Sequence, residues 1–379
     1  MTAARVAPEP DGSPEPAELV VERGRLVAYR LFDLGDELYV EPALERLRSR
    51  GGVEVLRGGA RGLRGEQPVD VRPVAPHEDP RLAGLAVSAR LFAQGMALVR
   101  FEEELSPGTG LRELALRAKE RSDARALTEA ARGWIDELLP ALGDALVPGA
   151  GPPWRGHETY TVVFVEAFAG RPSAGEVLGR GQALAKLLSG EVGERPLSPG
   201  EVAEVLAHAH SYFADDLVVV GWEGSLVVEP GGQREVLDVL EFACAVLTGL
   251  RAYDAQLEAE LDGLFRLVQR RPGASSLLWN PFSRLSHQVH RRWLELTEFT
   301  ERWENAIKVV DDDYFARVYR VALRRLGVPA WRAAVERKQA RIAQVHAFLK
   351  EGIDTARAVA LETTIVLLIL LEILLFLGR

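Results

Sequence analysis

Apolar positions recur along this chain with two periods, and the change of period divides it in two. Leu26 to Leu34 (LVAYRLFDL) alternates, and Tyr160 to Phe168 (YTVVFVEAF) is a short, β-branched apolar run; both predict strands. Ala86 to Leu105 reads as two strands around Gly95, and Leu217 to Val228 as a hairpin turning at Glu223–Gly224. Pro42–Arg48, Leu111–Leu139 and Val177–Ser189 repeat at helical spacing. Ser198-Pro199-Gly200-Glu201 has the form of a capping box with proline at the first helical position, opening a helix to His210. Gly51 to Gln67, rich in Gly and Arg, reads as a loop, and VPGAGPP (Val147–Pro153) as a break. Residues 19–150 and 151–232 are therefore expected to form two α+β subdomains, after a Pro- and Glu-rich lead, 1–18, that cannot build a core.

Beyond Gly232 the period becomes helical. Val236, Leu240, Ala243, Leu247, Leu250, Asp254, Leu257, Leu261, Leu264 and Val268 step by four and three in turn, which is a heptad seam with Asp254 as its polar member. Such a residue can set the register of a helix pair, or bond to a neighbour within its own domain. A second long helix is expected from Phe282 to Val310, with Val289, Leu296, Trp303 and Val310 spaced by seven. Asp311–Asp313 would cap a shorter helix to Leu326, and a last helix would start near Ala330. The sequence thus predicts an α+β head followed by a long-helix, antiparallel coiled-coil-like stalk over 233–357.

Residues 358–378 (AVALETTIVLLILLEILLFLG) are apolar nearly all round. As a helix they would be roughly 31 Å long, close to the ~30 Å hydrocarbon core of a bilayer. Fourteen are Leu, Ile, Val or Phe, summing to about −6 kcal/mol of insertion energy. Glu362 and Glu372 oppose this, Glu372 by ~3 kcal/mol if charged near the middle. A single C-terminal transmembrane anchor is therefore expected. Glu372 would either face a partner helix or simply tolerate lipid. Arg332, Arg337, Lys338, Arg341, Lys350 and Arg357 precede the segment, so its N-terminal bulk would lie in the cytoplasm, on the inner membrane. The same cations could hold lipid headgroups, touch RNA or form a solvated face.

The net charge of −9 supplies no excess cation for general nucleic-acid binding, and no specific nucleic acid is expected. One cysteine, Cys244, in an apolar stretch, excludes an internal disulfide framework and a Cys-based zinc site. The N-terminus lacks the apolar core of a secretory signal. No Walker A, GxSxG, HExxH or CxxC motif occurs. His208 and His210 would point to different sides of a helix, while His287 and His290 share a face but lack a third ligand. No catalytic residue, metal or cofactor is expected.

Three stretches resemble a known family: Ser211–Trp222 (SYFADDLVVVGW), Leu240-Glu241 to Asp254, and the final segment with Leu361-Glu362 and Leu371-Glu372. This is the required-for-meiotic-nuclear-division family, and the resemblance spans Tyr160 to Arg379. Asp311–Phe315 and Thr363 depart from its pattern. The resemblance implies membrane-anchored proteins that assemble into complexes and support translation, with no catalytic residues to carry over. A non-enzymatic tethering scaffold with a protein or ribosomal partner and self-association is the resulting expectation. Its membrane and partner candidates are Glu362, Glu372, Asp254, Arg337, Lys338, Arg341, Lys350 and Arg357. The alternative is an enzyme with an unrecognised, phosphate-directed site in the head.

Overall fold

The computed structural model describes residues 18–57, 68–74, 79–149, 154–269 and 313–378. The lead at 1–17, the helix expected over 282–310, the pair His287/His290 and Asp311–Asp312 lie outside the described residues. In chain order the elements are β1 (Val20–Asp33), β2 (Glu37–Leu38), α1 (Val40–Arg50), β3 (Val53–Arg57), β4 (Val69–Pro73), β5 (Ala86–Leu91), β6 (Met96–Glu104), β7 (Thr109–Gly110), α2 (Leu111–Asp123) and α3 (Arg125–Leu142). There follow β8 (Leu146–Val147), β9 (Glu158–Phe168), α4 (Ala174–Leu178), α5 (Gly181–Ser189), α6 (Pro199–Leu206), β10 (Ala209–His210), β11 (Leu217–Val220), β12 (Gly224–Val228), α7 (Glu235–Gln269), α8 (Asp313–Arg325) and α9 (Val328–Leu377).

The head is α+β. One sheet runs β10-β11-β12-β9-β1-β6-β5-β4-β3, with β7 also on β1; β12–β9 is its parallel pair. β1 is the hub, antiparallel to β6 on one side and β9 on the other. Its central residues are buried on both faces, as expected for a strand covered above and below. Alternate side chains feed different cores. Val27, Tyr29 and Leu31 meet α7, whereas Ala28 and Phe32 meet α1 and α3. Gly95 turns the β5–β6 hairpin at φ +73°, with its carbonyl accepting from Leu34; a Cβ there would run into the Gly35 carbonyl.

Two helices expected whole are divided. Leu111–Leu139 breaks at Ala124 into α2 and α3, because Arg30 takes the carbonyls of Arg121, Ser122 and Ala124 at 2.7–3.3 Å. Val177–Ser189 is α4 plus α5, and α4 opens on a complete capping box, Ser173 with Glu176. The Ser198 box donates in one direction, from Glu201 N–H to Ser198 Oγ at 3.2 Å. The helix it opens stops at Leu206, leaving His210 in β10.

The architecture after the head differs from the expected stalk and anchor. The seam of α7 from Val236 to Leu250 lies across the sheet, in one core with Val27, Leu98, Val162 and Val220. Heptad spacing fits any apolar partner surface, and here the first is a sheet. Farther along, α7 meets α9. Arg251 lies over Trp331 and Asp254 meets Lys338, so positions on both helices rise together and this pair runs parallel; the helix expected between them lies outside the described residues.

Among the described residues no helix is long and apolar enough to cross a membrane. Glu362 and Glu372 interrupt the apolar end of α9, Leu361–Leu377. The expected transmembrane tail anchor, its inner-membrane location and the orientation drawn from the basic residues are corrected accordingly. What stands in their place is an exposed helix bearing thirteen large apolar side chains, each at least 49% exposed.

Candidate functional site

Where the head meets α7 and the α8–α9 turn, a cavity of about 240 Å³ opens. Strand β9 brings Glu158 and Tyr160 to it because odd and even positions face opposite sides of the sheet, and these two share the α7 side. α7 brings Cys244 and Arg251 one face apart by two turns. α2 contributes Lys119 and Asp123, and the β11–β12 hairpin contributes Trp222 and Glu223.

The groups that could do chemistry there are engaged. Arg251 Nη1 donates to Glu158 at 2.5 Å; burial still raises the Glu158 carboxyl above its usual range, with the arginine opposing. The Tyr160 hydroxyl donates to Gly221 O at 3.0 Å and lies 2.5 Å from Ser225 Oγ, and burial pushes its pKa up. Burial followed by Glu241 and Glu158 holds Cys244 as the unreactive thiol. Lys119 Nζ lies 3.5 Å from both Asp123 and Glu223; burial opposes its charge, but the two acids outweigh it. The Arg251 guanidinium lies 5.0 Å from the centre of the Trp331 ring.

A second cluster lies on the same face of the sheet, beneath the first turns of α7. Arg100 grips Glu241 through two bonds of 2.7 Å, and Arg90 reaches Glu241 at 2.9 Å and Asp238 at 2.5 Å. Arg90 also binds Asp70 through 2.7 and 2.8 Å contacts. Arg234, Arg25 and Glu102 extend the network. The arginines lower the carboxyls of Asp70 and Glu102 despite burial, while burial raises Asp238 to about 6. Charges this well paired position α7 on β4, β5 and β6.

The stretch 23–234 matches the family model described as the N-terminal domain of the uncharacterised protein MJ0711. The chain belongs to that family. The uncharacterised protein MJ0711 of Methanocaldococcus jannaschii is 26% identical to it over 197 residues, which is 52% of this chain and 59% of that relative. The chain thus spans about 59% of the length of the curated relative it matches. No solved structure matches.

The MJ0711 N-terminal domain, as matched, ends at Arg234, one residue before α7 begins. The cavity therefore has walls on both sides of that limit: Lys119, Glu158 and Trp222 within the domain, Arg251 and Leu326 beyond it. Two of the expected partner candidates come together in the structure, outside the cavity. Lys338 Nζ sits 3.0 Å from the Asp254 carboxylate and also binds Glu258, which makes Asp254 a fastener between α7 and α9. Arg337 and Arg341 are exposed on α9, and Glu362 and Glu372 lie on its exposed apolar end. The side chains of Lys350 and Arg357 lie outside the described residues. None of the six whose side chains are described lines the cavity. Arg251 and Glu158 were missed in the sequence because an arginine on a helix and a glutamate opening a strand read as ordinary surface charges.

At the far end of β1, Asp33 is raised to about 7, first by burial and then by Asp36, against backbone N–H groups of Gly35 and Trp154. A carboxyl whose folded pKa exceeds its ordinary 3.8 costs stability as it ionises, so this cost grows as pH rises from about 4 to 7 and is complete above 7. Asp33→Asn removes it. Thermal unfolding at pH 5 and pH 8 should show the variant gaining on the wild type at the higher pH; an equal difference at both pH values would contradict the assignment.

Proposed function

We propose that this protein is a non-catalytic scaffold that assembles through the apolar end of α9 with further copies of itself, leaving its α+β head to hold a partner. The observation that carries the reading is the end of α9: thirteen large apolar side chains between Leu361 and Leu377, from 49% exposed at Ile365 to 84% at Phe376. Exposed apolar surface of this extent marks an interaction site. The apolar positions cover every side of the helix, so a groove on one partner would leave most of them wet. Identical helices bundled together surround each one, and the chain always supplies them at its own concentration. Burying half of these side chains at ~1.5 kcal/mol each yields roughly 10 kcal/mol, comparable to the ~4–15 kcal/mol cost of association.

The engagement of Glu158, Tyr160, Cys244 and Lys119 with other protein groups supports binding over catalysis in the cavity. The resemblance of Tyr160–Arg379 to the meiotic-division family supports a partner in translation. Sedimentation velocity on the full chain tests the assembly. The wild type should sediment as an oligomer, and Leu367→Glu with Leu374→Glu, one heptad apart, should shift it to monomer with the head still folded by circular dichroism. A wild type that is monomeric at all concentrations, or a variant that stays oligomeric, would refute the proposal.

A further inference from the structure

The loop between β10 and β11 carries two exposed aromatic rings, Tyr212 at 61% and Phe213 at 66%. Their backbone N–H groups both donate to Asp216 Oδ1, at 2.7 and 3.0 Å, and Asp216 is itself buried. The Ala214 carbonyl accepts from Ala174 N–H at 2.8 Å. A loop pinned at these points presents its rings outward at little further cost in freedom. The rings continue into α8: Tyr212 meets Phe213 edge-on at 4.8 Å and Tyr314 at 5.5 Å, and Tyr314 meets Phe315 at 5.5 Å. Arg317, Arg320 and Arg324 recur along α8 at helical spacing, and all three are exposed. His210 lies in the field of Arg317 and Arg324, which puts that stripe at the β10 end of the loop. At the other end Asp215 and Asp216 lie with Glu235 around Glu229. The surface is therefore basic toward α8 and acidic toward β12. Asp313, the acid within the stripe, is engaged with Arg317 at 3.5 Å.

The start of β1 lies near this loop. Val20 O accepts from Ala169 N–H, and Ala174, five residues farther on, is the residue bonded to Ala214. Five extended residues span at most about 18 Å. Arg171, exposed, stands between the two points. Ahead of β1 comes the lead at 1–17, where Pro8–Pro16 (PEPDGSPEP) carries four prolines, three carboxylates and no cation. At ~3.1 Å per residue, an extended proline-rich chain covers that span in about six residues. We propose that Pro8–Pro16 docks on the loop of its own chain, prolines against Tyr212 and Phe213 and carboxylates toward Arg171, Arg317, Arg320 and Arg324. Aromatic surfaces take proline-rich segments because these are already extended and lose little freedom on docking. Charge selects the same occupant: the carboxylates are attracted at the α8 side and repelled at the β12 side, which sets the direction of the path. The tether supplies the lead at an effective concentration in the millimolar range, so individually weak contacts suffice.

The test is time-resolved fluorescence anisotropy on the full chain with Ser13→Cys labelled by a maleimide dye, Cys244 being buried. The amplitude of fast local motion is read, which the size of an assembly does not change. In the otherwise wild-type chain that amplitude should be less than half of its value in a labelled synthetic peptide of residues 1–17. Tyr212→Ala with Phe213→Ala should raise it to near the peptide value, with circular dichroism unchanged because both side chains are exposed. Pro8, Pro10, Pro14 and Pro16, all changed to Ala, should do the same through substitutions that leave the head untouched. Arg317→Glu with Arg320→Glu should raise it as well, and added salt should raise it in the wild type. The proposal is overturned if the label moves in the wild type as it does in the peptide, or if either the aromatic or the proline variant leaves its motion unchanged. It is also overturned if unlabelled wild-type chain immobilises the lead of the labelled aromatic variant, since the lead would then dock on another copy. Sedimentation is read separately, so failure here leaves the assembly proposal standing.

Discussion

Arg30→Met should destabilise the head by about 4 kcal/mol or more, seen as a large drop in the denaturant midpoint. Arg30 is completely buried in β1. Its Nε donates to Thr128 Oγ1 at 2.9 Å, Nη1 to Tyr29 O at 2.8 Å, and Nη2 to the carbonyls of Arg121, Ser122 and Ala124. Burial lowers its pKa to about 10, so it remains charged at neutral pH. Methionine fills the space but donates nothing, and the carbonyls at the α2–α3 break lose their partner in a water-poor site. Arg30→Lys should recover less than half of the loss, because a single ammonium cannot reach both Tyr29 and the helix break. An Arg30→Met protein with a wild-type midpoint would show that the break is held by something else.

Glu241→Ala is the second large effect, expected at about 3–5 kcal/mol. Glu241 is 1% exposed and answers two buried arginines, Arg100 and Arg90. Its removal leaves both guanidiniums to Asp70 and Asp238, of which Asp238 is itself pushed toward the neutral form by burial. The loss should fall on the docking of α7, so hydrogen exchange should rise in Glu235–Leu250 before it rises in β1. A double variant, Arg100→Met with Glu241→Leu, should be more stable than Glu241→Ala alone, since a buried pair replaced together leaves no unpaired charge. Equal exchange in α7 and β1 would mean that the network is not what holds the helix.

The head was largely legible. β1, β6, β9, the β11–β12 hairpin and α7 follow from runs and periods that local chemistry writes into the chain. The break at Ala124 was not, because its cause, Arg30, lies more than ninety positions upstream. The ionic network was equally hidden. Arg100 and Glu102 alternate along β6 as a solvent-facing edge would, and only the path of α7 over that face buries them. The period of α7 showed a buried seam but could not say that a sheet lay opposite it. Summing transfer energies over 358–378 overstates the tail, which carries two carboxylates, and among the described residues no helix is long and apolar enough to cross a membrane. Arg251 and Trp222 could not be joined from sequence, since nothing in either segment encodes the other.

The most direct measurement of the assembly is crosslinking of Leu374→Cys in the full chain. Cys244 is buried and held as the thiol, so the introduced residue is the reactive one. Mild oxidation should convert the variant to a disulfide-linked dimer in good yield at dilute concentration, while the same substitution at exposed Leu116 on α2 stays monomeric. If Leu374→Cys and Leu116→Cys crosslink equally poorly, the ends of α9 do not meet, and the self-assembling scaffold is wrong.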